Sequence, residues 1–202
     1  YSTNHFGPLT RTVADCAAMM QIIAGHDTRD PLSSRESVPD YVTGLGSSVE
    51  GMRAGVIRGY FEKFASSEVN QAIADALELL RSLGMIVEEV SVPHMDLIPA
   101  VQLCASRVES TADAEYYLRH HPRDYSPSML STQIQALTVS GATYSQSQRI
   151  RRLICDGFDK ALAQVDVIVA PTSPIPALSF DESMSGSVAV DGHNTPLQGP
   201  HG

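Results

Sequence analysis

The residues of this chain best placed to meet a small molecule are Pro171, Thr172 and Ser173, which follow the almost unbroken β-branched run Val165-Asp166-Val167-Ile168-Val169-Ala170. Such a run is typical of a strand buried on both faces. In open α/β sheets, ligands sit beyond the carboxyl ends of the strands. Pro171 removes a backbone donor, ends the ladder and frees the residues after it. The competing reading is an ordinary proline-rich strand exit.

Other residues carry weaker chemistry. Gly44-Leu45-Gly46-Ser47-Ser48 has the look of a loop holding a nucleophile and an oxyanion hole, but short Gly/Ser matches arise readily by chance. His26-Asp27 could begin a metal site only with further His and Asp ligands from separate helices, and Asp27 with Asp30 reads more easily as loop capping. His120 and His121 are adjacent and point about 100 degrees apart on a helix, so they do not converge on one ion. Arg149, Arg151 and Arg152 lie near Asp156 and Asp159, a solvated ion-pair surface rather than a phosphate site. No G-x-S-x-G elbow selects one serine among many. No metal site is expected.

The elements that must position these residues begin with a helix inside Gly7 to Asp27. Gly7-Pro8 breaks what precedes, Thr12 and Asp15 have the spacing of a capping box, and Gly25 occupies the place of a left-handed C-cap. Val13, Cys16, Ala17, Met20, Ile23 and Ala24 make its buried face. Thr28 to Gly51 is a polar connector, pinned by Tyr41, Val42 and Leu45.

Arg53 to Arg58 predicts a strand, Ser67 caps a helix ending at Gly84, and Met85 to Val92 predicts a second strand. The βαβ unit at about 53–92 has parallel strands. A helical excursion at about 96–164 follows. Its first helix, Asp96 to His121, turns Val101, Cys104, Ala105, Val108 and Ala112 inward. Ser126-Pro127 opens the next helix, which runs to about Ser140, and Thr143-x-x-Gln146 caps the last. The buried strand spans 165–171, and 177–202 is a loop tail with little periodicity. The fold class is α/β, a mixed sheet covered by helices.

At 202 residues with 43% apolar content, the chain supports one sizeable core. A net charge of −9 argues against direct nucleic-acid binding by this segment. Cys16, Cys104 and Cys155 are widely spaced and fit neither a disulfide framework nor a zinc site, so a reducing cytoplasm is expected. No run approaches a membrane span.

Ser2, His5, the run Gly7-Pro8-Leu9-Thr10-Arg11-Thr12-Val13 with Asp15, and Ala24-Gly25-His26-Asp27 resemble the segment just after the catalytic core of amidase signature hydrolases. That family includes bacterial amidases, indole-acetamide-type hydrolases and the A subunit of the glutamyl/aspartyl-tRNA amidotransferase. Asp166 to Pro176 is the second point of resemblance, following a helix with a Tyr near its start and arginines in its middle. One departure is Asn4-His5, where such proteins often carry an Asp, leaving Asp15 to brace Arg11.

The resemblance implies that residues 1–202 are a C-terminal-side, incomplete amidase domain in which Gly7, Pro8, Arg11 and Asp15 form a structural motif. It implies cleavage of a carboxamide by a Ser, a second Ser on a cis peptide bond and a Lys, with no cofactor. The only lysines, Lys63 and Lys160, do not stand in the family's order, so the triad is expected before Tyr1 and no catalytic residue in this chain. The implied partners are a small-molecule amide, and a second copy in a homodimer or the other subunits of an amidotransferase. A non-catalytic binding or scaffold protein that keeps the fold is the rival from another class.

Overall fold

In the computed structural model, which describes residues 2–181 and 187–196, Thr12 opens the first helix as its spacing to Asp15 predicts. Its hydroxyl accepts from the Asp15 amide at 3.1 Å and starts α1 (Val13–Ile23). The helix ends on an extended Ala24, and Gly25 takes φ of 143°, so glycine breaks the helix outside the left-handed helical conformation expected of it. Of the predicted inward face only Ala17 is buried, and Val13 is 73% exposed. Periodicity identifies a face able to be buried, but burial needs a second apolar layer. The connector after α1 is held to it by the Tyr41 amide, which donates to Gln21 Oε1 at 2.9 Å, while Val42 and Leu45 are exposed.

The described residues divide between Ser48 and Val49 into two compact units. The second contains β1 (Arg53–Ile57), α2 (Ser67–Ser82), β2 (Ile86–Val90), α3 (Ile98–His120), α4 (Pro127–Ala136), α5 (Gly141–Leu162) and β3 (Val167–Val169). It also holds β4 (Ser187–Val190) and β5 (His193–Pro196). A three-stranded sheet has the order β2-β1-β3 with both pairings parallel, and β4 and β5 pair antiparallel. Open sheets with both kinds of pairing, surrounded by helices, make this an α/β fold as expected.

The strand buried on both faces is β1, whose Ala54, Val56 and Ile57 are at most 6% exposed. β3 is a three-residue strand paired only to β1 among the described residues, and Val167 is 38% exposed. The correction has a simple cause: a β-branched run signals a strand but not how many neighbours it has. On one face of the sheet Leu77 of α2 is buried, with Val69, Ile73, Ala76 and Leu80 half-buried beside it. A core of Ile57, Val90, Val92, Met95, Ala161 and Val165 includes residues at the end of α5 and just before α3. Gly55 lies where this packing is closest: a Cβ there would sit 2.9 Å from Val165 Cγ2 and 3.0 Å from Val90 Cγ2.

Several boundaries differ from the sequence expectation. Ser66, not Ser67, caps α2, accepting from the Val69 amide at 3.3 Å. α4 stops at Ala136, and the cap of α5 is Ser140, which accepts from the Thr143 amide at 3.0 Å. Ser140-x-x-Thr143 and Thr143-x-x-Gln146 offer the same cap spacing in tandem, and the earlier one starts the helix. In α3, Val101 and Ala105 are buried as expected, but Thr111 is buried and Ala112 exposed. A hydrogen bond drives that exchange: Thr111 Oγ1 donates to Gln133 Oε1 of α4 at 2.5 Å, and Gln133 Nε2 donates to Ser110 Oγ at 3.0 Å.

The expected loop at 177–202 contains the β4–β5 hairpin. Asp191 and Gly192, at φ of 49° and 80°, supply the two positive-φ residues that a tight hairpin turn requires. Residues 182–186 and 197–202, including the end of the predicted tail, lie outside the described residues. No described helix is long and apolar enough to cross a membrane.

The packing at Gly55 makes a direct prediction. In the complete gene product, Gly55→Val should lower stability by about 1–3 kcal/mol, the usual cost of overpacking a filled core. Urea unfolding measures it, and an unchanged midpoint would show that Val90 and Val165 yield without cost.

Candidate functional site

Because β1 and β3 are parallel, their carboxyl ends emerge on the same side, and the chain leaves β3 there through Pro171. Pro171 is half-buried and lines a cleft of about 290 Å³ together with Val56, Ile57, Phe61, Leu77 and Val169. Arg58 and Glu62 also line this cleft. The Arg58 guanidinium lies 3.3 Å from the Glu89 carboxylate and 3.8 Å from that of Glu62, whose other oxygen accepts from the Gly59 amide at 2.8 Å. Asn70, Glu78 and Arg81 of α2 complete its polar side, so the cleft combines an apolar wall with charged and polar side chains.

Thr172 and Ser173 are exposed and do not belong to that lining. The Ser173 hydroxyl donates to the Ile175 carbonyl at 2.8 Å and accepts from the Ile175 amide at 3.3 Å, a local turn that directs the chain away from the sheet. The Pro174 carbonyl then accepts from the Ser66 amide at 2.8 Å. Sequence reasoning missed Asp191, whose carboxylate accepts from the Ser67 amide and hydroxyl at the same helix terminus. The Asp-Gly pair was the signal that could have located its hairpin.

Between α3 and α4 runs a wider groove of about 650 Å³, walled by Val108, Ala112, Leu118, Leu130, Ile134 and Leu137. Thr111 and Gln133 in its lining hydrogen-bond to each other, so the groove is mainly an apolar surface. Next to it, the Tyr144 phenol donates to Glu109 Oε1 at 2.9 Å. Desolvation first, and then this bond to a carboxylate, raise the Tyr144 pKa above its ordinary value.

The remaining candidates have structural partners. Lys63 and Lys160 are exposed. His26 Nδ1 lies 2.8 Å from Ser33 Oγ, and Asp27 pairs with Arg29 at 2.9 Å, an interaction that lowers the Asp27 pKa. Asp27 and Asp30 also accept from the Arg29 and Leu32 amides, as loop-capping residues do. His120 Nδ1 lies 2.8 Å from the Tyr116 carbonyl, His121 lies 3.8 Å from Asp124, and Arg152 pairs with Asp156 at 2.8 Å. Gly44 to Ser48 is a turn in which the Ser47 amide donates weakly to the Gly44 carbonyl. Arg11 and Asp15 are both exposed, and the ion pairs of the described residues include none between them, so the expected brace is not formed.

Residues 1–192 match the family model described as Amidase. The chain is 37% identical over 184 residues to an amidase of Pseudomonas putida, covering 91% of this chain and 40% of that protein. It is 32% identical to the A subunit of the glutamyl-tRNA(Gln) amidotransferase of Carboxydothermus hydrogenoformans, covering 94% of this chain and 44% of that one. Among solved structures it superposes, with a TM-score of 0.81 and 26% identity, on a protein from a vestigial complex bearing on the origins of an s-triazine catabolic enzyme. That match covers 95% of this chain and 40% of its counterpart, so the chain spans well under half the length of these relatives.

The Tyr144–Glu109 bond generates a pH prediction. A phenol whose folded pKa is raised adds stability that is present below the ordinary tyrosine pKa and is lost as pH rises through the higher folded value. Melting temperature followed from neutral pH to above roughly 10 should therefore fall more steeply for the native protein than for Tyr144→Phe. At neutral pH the variant should lose about 0.5–1.5 kcal/mol. Identical alkaline slopes would contradict the assignment.

Proposed function

The chain belongs to the Amidase family, and we propose that the protein carrying it hydrolyses carboxamide C–N bonds, with Pro171 in the wall of the substrate pocket and Thr172 and Ser173, exposed just after it, at the pocket's rim. The observation that carries this reading is that Pro171, at the carboxyl end of β3, stands in the wall of a cleft between α2 and the parallel strands β1 and β3. In the proposed reaction a deprotonated Lys takes the proton of a relay Ser, which takes that of the nucleophilic Ser. The nucleophile adds to the amide carbonyl, backbone N–H groups hold the oxyanion, and the C–N bond breaks as the leaving amine gains the proton. Water then cleaves the acyl-enzyme by the reverse proton path.

Such a base must be desolvated for its pKa to fall toward neutral pH. Lys63 and Lys160 are exposed, which supports a triad contributed by sequence outside this chain. Gly7, Pro8, Arg11 and Asp15 then act as a structural motif, with Thr12 and Asp15 setting the start of α1. The proposed ligand is a neutral small-molecule amide. The net charge of −9 keeps nucleic acid off this segment, and the chemistry requires no cofactor.

A free-standing amidase, alone or as a homodimer, is the first form of the reading, supported by the 37% identity to an amidase. The second form is the A subunit of a tRNA-dependent amidotransferase, supported by the 32% identity to such a protein. Co-purification with the other subunits, and amidation of glutamyl-tRNA only in their presence, would select the second.

Two results are expected. The 202-residue chain alone should release no amine from simple aryl or aliphatic amides. Hydrolysis that is abolished by changing one of its own serines would overturn the placement of the triad. In the complete gene product, Thr172→Val keeps the shape and removes the hydroxyl, so kcat/KM for amides should fall about 3- to 10-fold, one hydrogen bond's worth. A change confined to the melting temperature would make Thr172 structural.

A further inference from the structure

The segment leaving β3 and the β4–β5 hairpin are each tied to α2, and the two ties end on consecutive residues at one helix terminus. The Ser66 amide donates to the Pro174 carbonyl at 2.8 Å. The Ser67 amide and hydroxyl donate to the Asp191 carboxylate at 2.9 and 2.6 Å. Ser67 is the first residue of α2, where a backbone N–H has no partner inside the helix and a carboxylate is favoured by the helix dipole. Asp191 sits at φ of 49° in the β4–β5 turn, a conformation that Asp and Asn tolerate better than most side chains.

The terminus that receives both ties is itself well fixed. Ser66 is 5% exposed, its hydroxyl is committed to the Val69 amide, and Leu77 further along the helix is buried. The Asp191 carboxylate accepts from two donors of the helix terminus, one on each oxygen.

We propose that Asp191 is a positioning residue for the amide pocket: by latching the hairpin to Ser67, it helps hold the Pro171–Pro174 exit, hung from Ser66, at the mouth of the cleft. This rests on the reading that Pro171, Thr172 and Ser173 border that pocket.

The test uses the complete gene product. Asp191→Asn retains a residue suited to the positive φ and one acceptor oxygen for the Ser67 amide, so the turn survives while the negative charge is lost and the Ser67 hydroxyl must accept where it donated. Ser67→Ala removes the hydroxyl from the other side. Each variant should raise KM for a simple aryl amide roughly 3- to 10-fold with little change in kcat. The double variant should fall short of the sum of the single ones, because both act on the same Ser67–Asp191 contact. Hydrogen exchange at the Ser66 amide, which donates to the Pro174 carbonyl, should be faster in all three.

Unchanged exchange would overturn the latch whatever the kinetics. Faster exchange with an unchanged KM would overturn the positioning role. Thr172→Val separates the two ideas: if it too leaves the kinetics unmoved, the pocket reading has failed. If it shifts the kinetics while Asp191→Asn does not, the latch has failed.

Discussion

The second unit depends on β1 being paired along both edges and covered on both faces. Its five residues, Arg-Ala-Gly-Val-Ile, hold β2 on one side and β3 on the other, with Ala54 opposite both Val87 and Val167. Gly55 permits this because Val90 and Val165 leave no room for a side chain. Asp166 fixes the start of the third strand: its amide donates to the Arg53 carbonyl at 2.9 Å and its carboxylate accepts from the Arg53 amide at 2.7 Å. With the register set at that end, the chain can leave β3 only beside the ends of β1, and Pro171 meets Val56 and Ile57 in one cleft wall.

The same architecture leaves large apolar surfaces in contact with water. Phe6, Leu9 and Val13 are exposed in the first unit, and Ile134 and Leu137 in the groove between α3 and α4. Each such side chain gains about 1.5–3 kcal/mol when fully buried, so these faces have more to gain from a covering surface than isolated exposed residues do. The chain spans 40–44% of the relatives it matches in sequence, and its helices carry apolar faces that the described residues do not fill.

Much of this was legible in the sequence because it is specified locally. Thr12, Ser126-Pro127 and the strand-helix-strand order from Arg53 to Val90 are written in caps, breakers and periodicity, and they appear in the structure. Burial was less legible because it depends on neighbours. Val167 looks like a core residue until β3 proves to have one described partner strand, and Thr111 looks like a surface residue until Gln133 of another helix supplies its acceptor. Of the three residues the sequence marked as pocket candidates, Pro171 lines a cleft, whereas Thr172 and Ser173 turn outward because Ser173 bonds to Ile175. Asp191 is one acidic residue in a polar tail. Its role depends on a hydrogen bond to Ser67, which no local pattern encodes.

Under the proposed function, the carboxyl end of β3 borders the place where an amide is held. The most direct measurement is a crystal structure of the complete gene product trapped with an amide-analogue inhibitor bonded to its nucleophile. The account predicts van der Waals contact between the inhibitor and the Pro171–Ser173 segment, with its acyl or amine group directed into the cleft beside Val56 and Val169. An inhibitor seated away from that segment, with Pro171 and Thr172 touching only protein, would contradict it.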